Sequence, residues 1–150
     1  MKVFVHRVSR ACVSVEAIKE AREIGRGICA FVGLSKNDTE DDLRKMADLM
    51  LNLKLFDDPT EKRWQMSVMD MNFDVMIVSQ FTLNAAVKSN KKLDFNSSMP
   101  YQKAQVMFDQ FIEIVKLTYN PDLVKVGFFG EYMNVELLAD GPVSMMLESN

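Results

Sequence analysis

One histidine, two cysteines and one tryptophan are all that this chain offers of those residue types in 150 positions, and the scarcity removes whole classes of chemistry. A zinc hydrolase needs His, Cys or carboxylate ligands at close spacing, whereas His6 stands alone and Cys12 and Cys29 lie far apart. A nucleophilic triad needs a base, and His6, within an apolar strand beside Phe4 and Val8 on one strand face, reads as structural. The six glycines build no phosphate-cradling loop, so nucleotide chemistry has no seat and no cofactor is expected. Two cysteines in apolar stretches are too few for a disulfide scaffold and read as reduced, buried thiols of a cytoplasmic protein. No basic region followed by an apolar leader is seen, and no apolar run approaches the roughly 20 residues of a membrane span, so a soluble, unprocessed chain away from membranes is expected. A net charge of -3 argues against a protein that coats nucleic acid, though not against one that holds a single end of it.

What is present is a large apolar share, 48% in a chain of 17.2 kDa, enough for one domain spanning residues 1–150 that buries roughly two-thirds of its unfolded surface without disulfides or metals. Val3 to Val8 and Ala11 to Val15 alternate with period two and predict strands, and the apolar run Ile28 to Leu34, bounded by Gly25 and Gly27, predicts a third in an antiparallel opening meander. Thr39 with Asp42 predicts a capped helix start, followed by Leu43, Met46, Ala47, Met50 and Leu53 at helical spacing. Val75 to Val78 predicts a central strand ending at Ser79. A second helix is predicted with Ser98 near its cap, Pro100 in its first turn, a stripe of Ala104, Met107, Phe108, Phe111 and Val115, and Asn120-Pro121 as its stop. Val124 to Phe129, Met133 to Leu138 and Val143 to Leu147 predict closing strands, the last two joined through Asp140-Gly141-Pro142. Strands at both ends and two helices between them define an α+β domain with a mixed sheet.

Two segments far apart carry more than local structure: Ser79-Gln80-Phe81-Thr82-Leu83 at a strand end, and Asp140-Gly141-Pro142-Val143-Ser144 near the C-terminus. Together with the opening Val5-His6-Arg7-Val8-Ser9-Arg10-Ala11 and the Asp94-Phe95 pair in the loop after the first segment, they resemble the D-aminoacyl-tRNA deacylase family, also called D-tyrosyl-tRNA deacylases. The resemblance runs nearly end to end and implies a rolled, barrel-like mixed and antiparallel sheet. Two positions depart from the family pattern: Ala139 stands where Asn is usual and Ser144 where Thr is usual. Ser144 keeps a hydroxyl, while any bond that an Asn at 139 makes to steady the turn is absent or comes from another residue.

The resemblance implies hydrolysis of the ester between a D-amino acid and the tRNA 3′ ribose, with glycyl-tRNA accepted too. An activated ester needs little side-chain power, since oriented water and backbone N–H groups facing the oxyanion lower the barrier, one such donor contributing about 3 kcal/mol. Ser79, Gln80 and Thr82 then form a polar ledge for ribose and water, the Phe81 N–H faces the carbonyl, and the ribose 2′-hydroxyl assists the attack. Thr82 lacks a base to make it a nucleophile, so an orienting role is expected. The resemblance further implies a homodimer in which a cis Gly141-Pro142 peptide enters the partner's active site, takes the substrate ammonium on its carbonyls and leaves no room for an L side chain. Arg7 is expected to brace that segment, and Phe95 and Phe129 are candidates to stack on the terminal adenine, with packing in the core the bland alternative for each. Lys88, Lys91 and Lys92 follow the first segment with no acid between them. Two rivals remain open, a nucleic-acid-binding or interaction protein on the same fold without catalysis, and a related editing deacylase of different chirality.

Overall fold

In the computed structural model, which describes residues 1–149, the elements in chain order are β1 (Lys2–Val15), β2 (Glu20–Ile24), β3 (Gly27–Gly33), α1 (Glu40–Asn52), α2 (Val68–Met71), β4 (Asp74–Ser79), β5 (Ala86–Val87), β6 (Leu93–Asp94), α3 (Tyr101–Thr118), β7 (Val124–Val126) and β8 (Asn134–Glu148). Strand β1 is the spine. Antiparallel β8 runs along one edge, and β3 followed by β2, both antiparallel, fill the other. Parallel pairings of β3 with β4 and of β4 with β7 complete a six-stranded mixed sheet.

The sheet curls until β2 meets β7. The Arg22 guanidinium donates to the carbonyls of Val126 at 2.7 Å and Gly127 at 3.2 Å and stacks 4.0 Å over the Phe128 ring, which nearly closes a barrel. At the opposite end of these strands Gly25 N–H donates to the Asp74 carboxylate at 2.9 Å, and Asp74 N–H to the Arg26 carbonyl at 3.0 Å. Here the backbones run so close that a Cβ on Gly27 would stand 1.8 Å from the Asp74 carbonyl oxygen, so only glycine fits.

Register then decides what each strand buries. Val3 and Val5 point with Ile28, Ala30, Val75 and Ile77 into the core covered by α1 and α3, which contribute Leu43, Met46, Met50, Phe108, Phe111 and Val115. Beyond an irregularity between Val8 and Arg10, the side chains of Ala11, Val13 and Val15 join Val8, Ile24, Cys29, Met76, Val78 and Phe128 in a second core on the other face. An extra residue in one strand switches the face of everything after it, so a single β1 feeds both cores. Each fully buried large side chain contributes about 1.5–3 kcal/mol.

The expected α+β architecture with a rolled sheet and two main helices is present, with five differences. The two opening strands are one continuous β1. Polar β2, exposed except at Ile24, is an edge strand with no apolar alternation to announce it. The two last predicted strands are one strand, β8, and the chain does not reverse at Asp140-Gly141-Pro142. The strand expected over Val124 to Phe129 ends at Val126, because Gly127 leaves the ladder after its N–H donates to Ile77 at 2.8 Å. Pro100 is the cap position of α3 rather than within its first turn, and the Ser98 hydroxyl donates to the Phe81 carbonyl at 3.1 Å instead of capping. The Thr39–Asp42 capping box of α1 is formed in both directions. Among the described residues, no helix is long and apolar enough to cross a membrane.

Candidate active site

Ser79 is the last residue of β4, and the Gln80 N–H still donates to Val32 at 2.8 Å before the chain tightens into a 3-10 turn over Phe81–Asn84. Leu83 N–H closes on the Gln80 carbonyl at 3.3 Å and Ala85 N–H on Thr82 at 3.0 Å. A helical turn leaves its first N–H groups without partners of its own, and among the described residues those of Phe81 and Thr82 find none elsewhere. Phe81 is 59% exposed. Two backbone donors therefore stand open at the end of a buried central strand, the arrangement that receives an oxyanion.

The side chain bonded to Thr82 is neither an acid nor a base. The Gln80 amide donates to the Thr82 hydroxyl oxygen, a partner that cannot remove its proton. Phe95, at 40% exposure, brings its ring to 5.2 Å from that of Phe81, and Ser98 fixes the Phe81 carbonyl from below. The ring of Phe129 packs 5.3 Å from that of Tyr101 and 5.4 Å from that of Phe108, both on α3. Cys29 is buried, and burial pushes its thiol up to about 12, which keeps it protonated and inert.

Asp140-Gly141-Pro142 lies on β8 as a wide bulge. Ser144 pairs with His6 and Ala139 with Val8, so the four residues from Asp140 to Val143 stand opposite Arg7 alone. The Gly141–Pro142 peptide is cis, and Gly141 has φ +121°, where a side chain would meet Val143 Cγ2 at 2.8 Å and Arg7 Nη2 at 3.2 Å. Arg7 fills the gap in the ladder: Nε donates to the Asp140 carbonyl at 3.3 Å and lies 3.2 Å from its carboxylate, while Nη1 donates to the Leu55 carbonyl at 2.6 Å. A guanidinium suits this because its donors diverge toward several acceptors at once. The exposed Ala139 takes a ladder position, and Arg7 supplies a bond to the residue beside it. Ser144 Oγ lies 2.8 Å from His6 Nδ1, and burial lowers the His6 pKa from its ordinary value.

Sequence reasoning named Ser79, Gln80, Phe81, Thr82, Phe95, Phe129, Gly141, Pro142 and Arg7. The fold brings the first five together and joins the last three to one another. It does not join the two groups within one chain. Arg7 is level with Ile28 and Val75, and Val32 with Ser79; four residues at a rise of about 3.3 Å put the bulge roughly 13 Å down the sheet from the Ser79 end, with β1 and β3 between β8 and β4. The Leu55 carbonyl, the Ser98 bond to Phe81 and the His6–Ser144 couple carried no sequence signal, since each is a contact made by tertiary placement.

The family model for D-Tyr-tRNA(Tyr) deacylase matches residues 4–148. The human protein named D-aminoacyl-tRNA deacylase 1 is 44% identical over 149 residues, covering 99% of this chain and 70% of that protein. A solved structure titled "c-Myc DNA Unwinding Element Binding Protein" superposes with a TM-score of 0.95 at 44% identity, covering 100% of this chain and 99% of the other. Another, titled "Structural Analysis of a probable eukaryotic D-amino acid tRNA deacylase", superposes at 0.83 with 19% identity and 97% coverage of both chains, and shows the shared fold.

Replacing Arg7 with Gln leaves the Leu55 and Asp140 carbonyls short of their donors, a loss of about 1–3 kcal/mol. Chemical denaturation reads that loss, and hydrogen exchange by mass spectrometry is expected to show faster exchange in the peptide holding Asp140 to Val143. Unchanged exchange there would remove Arg7 as the brace.

Proposed function

The chain belongs to the D-Tyr-tRNA(Tyr) deacylase family and is a hydrolase of the D-aminoacyl-tRNA deacylase kind, and we propose that it works by positioning water, backbone donors and the substrate's own ribose, without an enzyme nucleophile. Water attacks the ester carbonyl carbon, the carbonyl–ribose oxygen bond breaks, and the ribose oxygen leaves with a proton as free tRNA while the amino acid departs as its carboxylate. The observation that carries this reading is the open pair of N–H groups at Phe81 and Thr82 beside a Thr82 hydroxyl whose partner, the Gln80 amide, is not a base. Ser79 and Gln80 hold the ribose and water, the Phe81 N–H meets the developing oxyanion, and the 2′-hydroxyl relays the proton. A ring pair such as Phe81 and Phe95 suits the terminal adenine, which is unpaired and stackable; Phe129 contributes as the floor beneath Tyr101.

Chirality is read, in this proposal, by Gly141 and Pro142 of a second copy. The offset of roughly 13 Å within one chain supports an intermolecular arrangement, as does the surface beside the bulge. Among the described residues β8 pairs only with β1, and it exposes Leu138, Met145 and Met146 at 57%, 42% and 44% on either side of Pro142. An apolar strand with an open edge is a surface that association covers. Main-chain carbonyls presented there take the substrate ammonium, and the backbone fills the space where an L side chain would project. Glycine has no side chain to reject, so glycyl-tRNA is a substrate as well. The setting is the cytoplasm, where charged tRNA is made and used, and the role is proofreading of translation.

The solved structure that superposes at 0.95 is called a c-Myc DNA unwinding element binding protein, which supports a second reading, nucleic-acid binding without turnover on the same fold. Turnover separates the two. Purified protein with a metal chelator present is expected to release amino acid from D-aminoacyl-tRNA and glycyl-tRNA, and to act on the L-form at least about 100-fold more slowly, equivalent to about 2.7 kcal/mol. Tight, salt-dependent binding with no release from any of the three would favour the second reading, and equal release from D and L would overturn the chiral gate.

The same assay tests the chemistry. Thr82→Ala is expected to keep activity within about 30-fold of wild type, because the backbone donors remain, whereas removal of a true nucleophile costs on the order of 10⁴ to 10⁶ in rate. A loss of that size in a folded variant would make Thr82 the attacking group.

A further inference from the structure

Directly after the 3-10 turn the chain leaves the body as a small hairpin, β5 paired antiparallel with β6 through Ala86–Asp94 and Val87–Leu93. Residues Val87 to Leu93 are all exposed. In a chain of net charge -3, this arm holds Lys88, Lys91 and Lys92, and no acid occurs from Ser79 to Leu93. The tip is ordered. Lys88 N–H donates to the Lys92 carbonyl at 2.8 Å and Lys91 N–H to Lys88 at 2.9 Å, Lys91 takes φ +66°, and Lys92 N–H donates to the Asn90 side chain at 3.1 Å. Three ammonium groups are thus held on one tight turn, where they repel one another unless an anion lies between them. Lys88 is partly neutralised by Asp94 at 3.6 Å. Among the described residues, Lys91 and Lys92 have no ion pair.

We propose that this hairpin is an arm that grips the phosphates of the tRNA acceptor end while the terminal ester lies at Phe81 and Thr82. The inference rests on the deacylase reading and adds to it the part of the substrate that lies outside the reacting ribose. Reach agrees with it. Six residue steps lead from Thr82 to Lys88, so at about 3.3 Å each the lysine backbone lies within roughly 20 Å of the site. That span reaches phosphates near the 3′ end of the strand that carries the ester. The arm also has an apolar side, with Val87 and Leu93 exposed at 72% and 53% and Phe95 leading back to Phe81. Lysines that meet phosphates beside apolar groups that meet an unpaired base fit a single-stranded 3′ tail running into a paired stem.

The test compares wild type with a Lys91→Gln/Lys92→Gln variant on two substrates: full-length D-aminoacyl-tRNA and the same D-aminoacyl ester on the terminal adenosine alone. On full tRNA, the slope of log kcat/KM against log salt is expected to become shallower by about 1.4 to 1.8, the release expected for two phosphate contacts at 0.7 to 0.9 each. On the adenosine ester the two proteins should agree within about twofold, which also confirms that the variant is folded. Lys91→Arg/Lys92→Arg should restore the wild-type slope. Equal slopes on tRNA, or an equal loss on both substrates, would overturn the arm. A wild type that hydrolyses neither substrate would instead overturn the deacylase reading, and the arm's role with it.

Discussion

The pairing of β1 with β8 is the constraint from which the rest of this structure follows. One strand of fourteen residues is matched along both edges, so its irregularities cannot be absorbed locally. The slip between Val8 and Arg10 turns the second half of β1 over, which is why one strand stabilises two apolar cores on opposite faces of the sheet. The neighbouring excess of residues on β8, four against one, has nowhere to go except outward. Arg7 occupies the vacated ladder position and ties the outward loop to the Leu55 carbonyl on the helix side. The protruding Gly141-Pro142 segment is therefore built into the central pairing of the fold, and is rigid for that reason.

The same sheet fixes the position of the Ser79–Thr82 segment. Parallel pairing on both sides buries β4 completely from Val75 to Val78, and the strand is half-exposed at its ends, Asp74 and Ser79. The tight turn that follows aims backbone donors outward while Gln80 and Thr82 satisfy one another. In the mechanism we propose, such a site has little to lose by titration or oxidation, since the groups assigned work are amides and hydroxyls. Its demand is geometric. Positions must hold within a fraction of an ångström, and a buried central strand provides that better than a loop.

Much of this was legible in the sequence where local chemistry alone decides the outcome. Thr39 and Asp42 announced α1 because a capping box is closed within four residues, and Val75 to Val78 announced a doubly buried strand because nothing polar interrupts it. The resemblance carried the cis Gly141–Pro142 peptide and the bracing by Arg7, both present in the structure. What escaped was set by distant partners. Glu20 to Ile24 has no apolar period, since only Ile24 is buried, and it becomes a strand because β1 offers an edge. Asp140-Gly141-Pro142 looked like a reversal because Gly-Pro often makes one, yet pairing with β1 on both sides of the bulge keeps β8 straight. Ser98 looked like a cap and instead bonds Phe81, and the packing of Phe129 on Tyr101 and Phe108 depends on where α3 lies. The five-residue turn of lysines was visible as a charge run, but its placement next to the turn of Phe81 and Thr82 is a property of the fold.

The central claim is that an active site is completed by two copies of the chain, one giving Ser79 to Thr82 and the other Gly141 and Pro142. Mixed dimers test it most directly. One subunit would carry Ser79→Ala with Gln80→Ala, the other Gly141→Ala, each with its own tag, and the mixed species would be isolated by sequential purification and assayed on D-aminoacyl-tRNA. Both parent homodimers are expected to be impaired, and the mixed dimer to recover about half of wild-type activity, because one of its two shared sites combines unaltered parts. A mixed dimer as impaired as its parents, or a fully active monomer, would show that each chain completes its own site and would contradict the account.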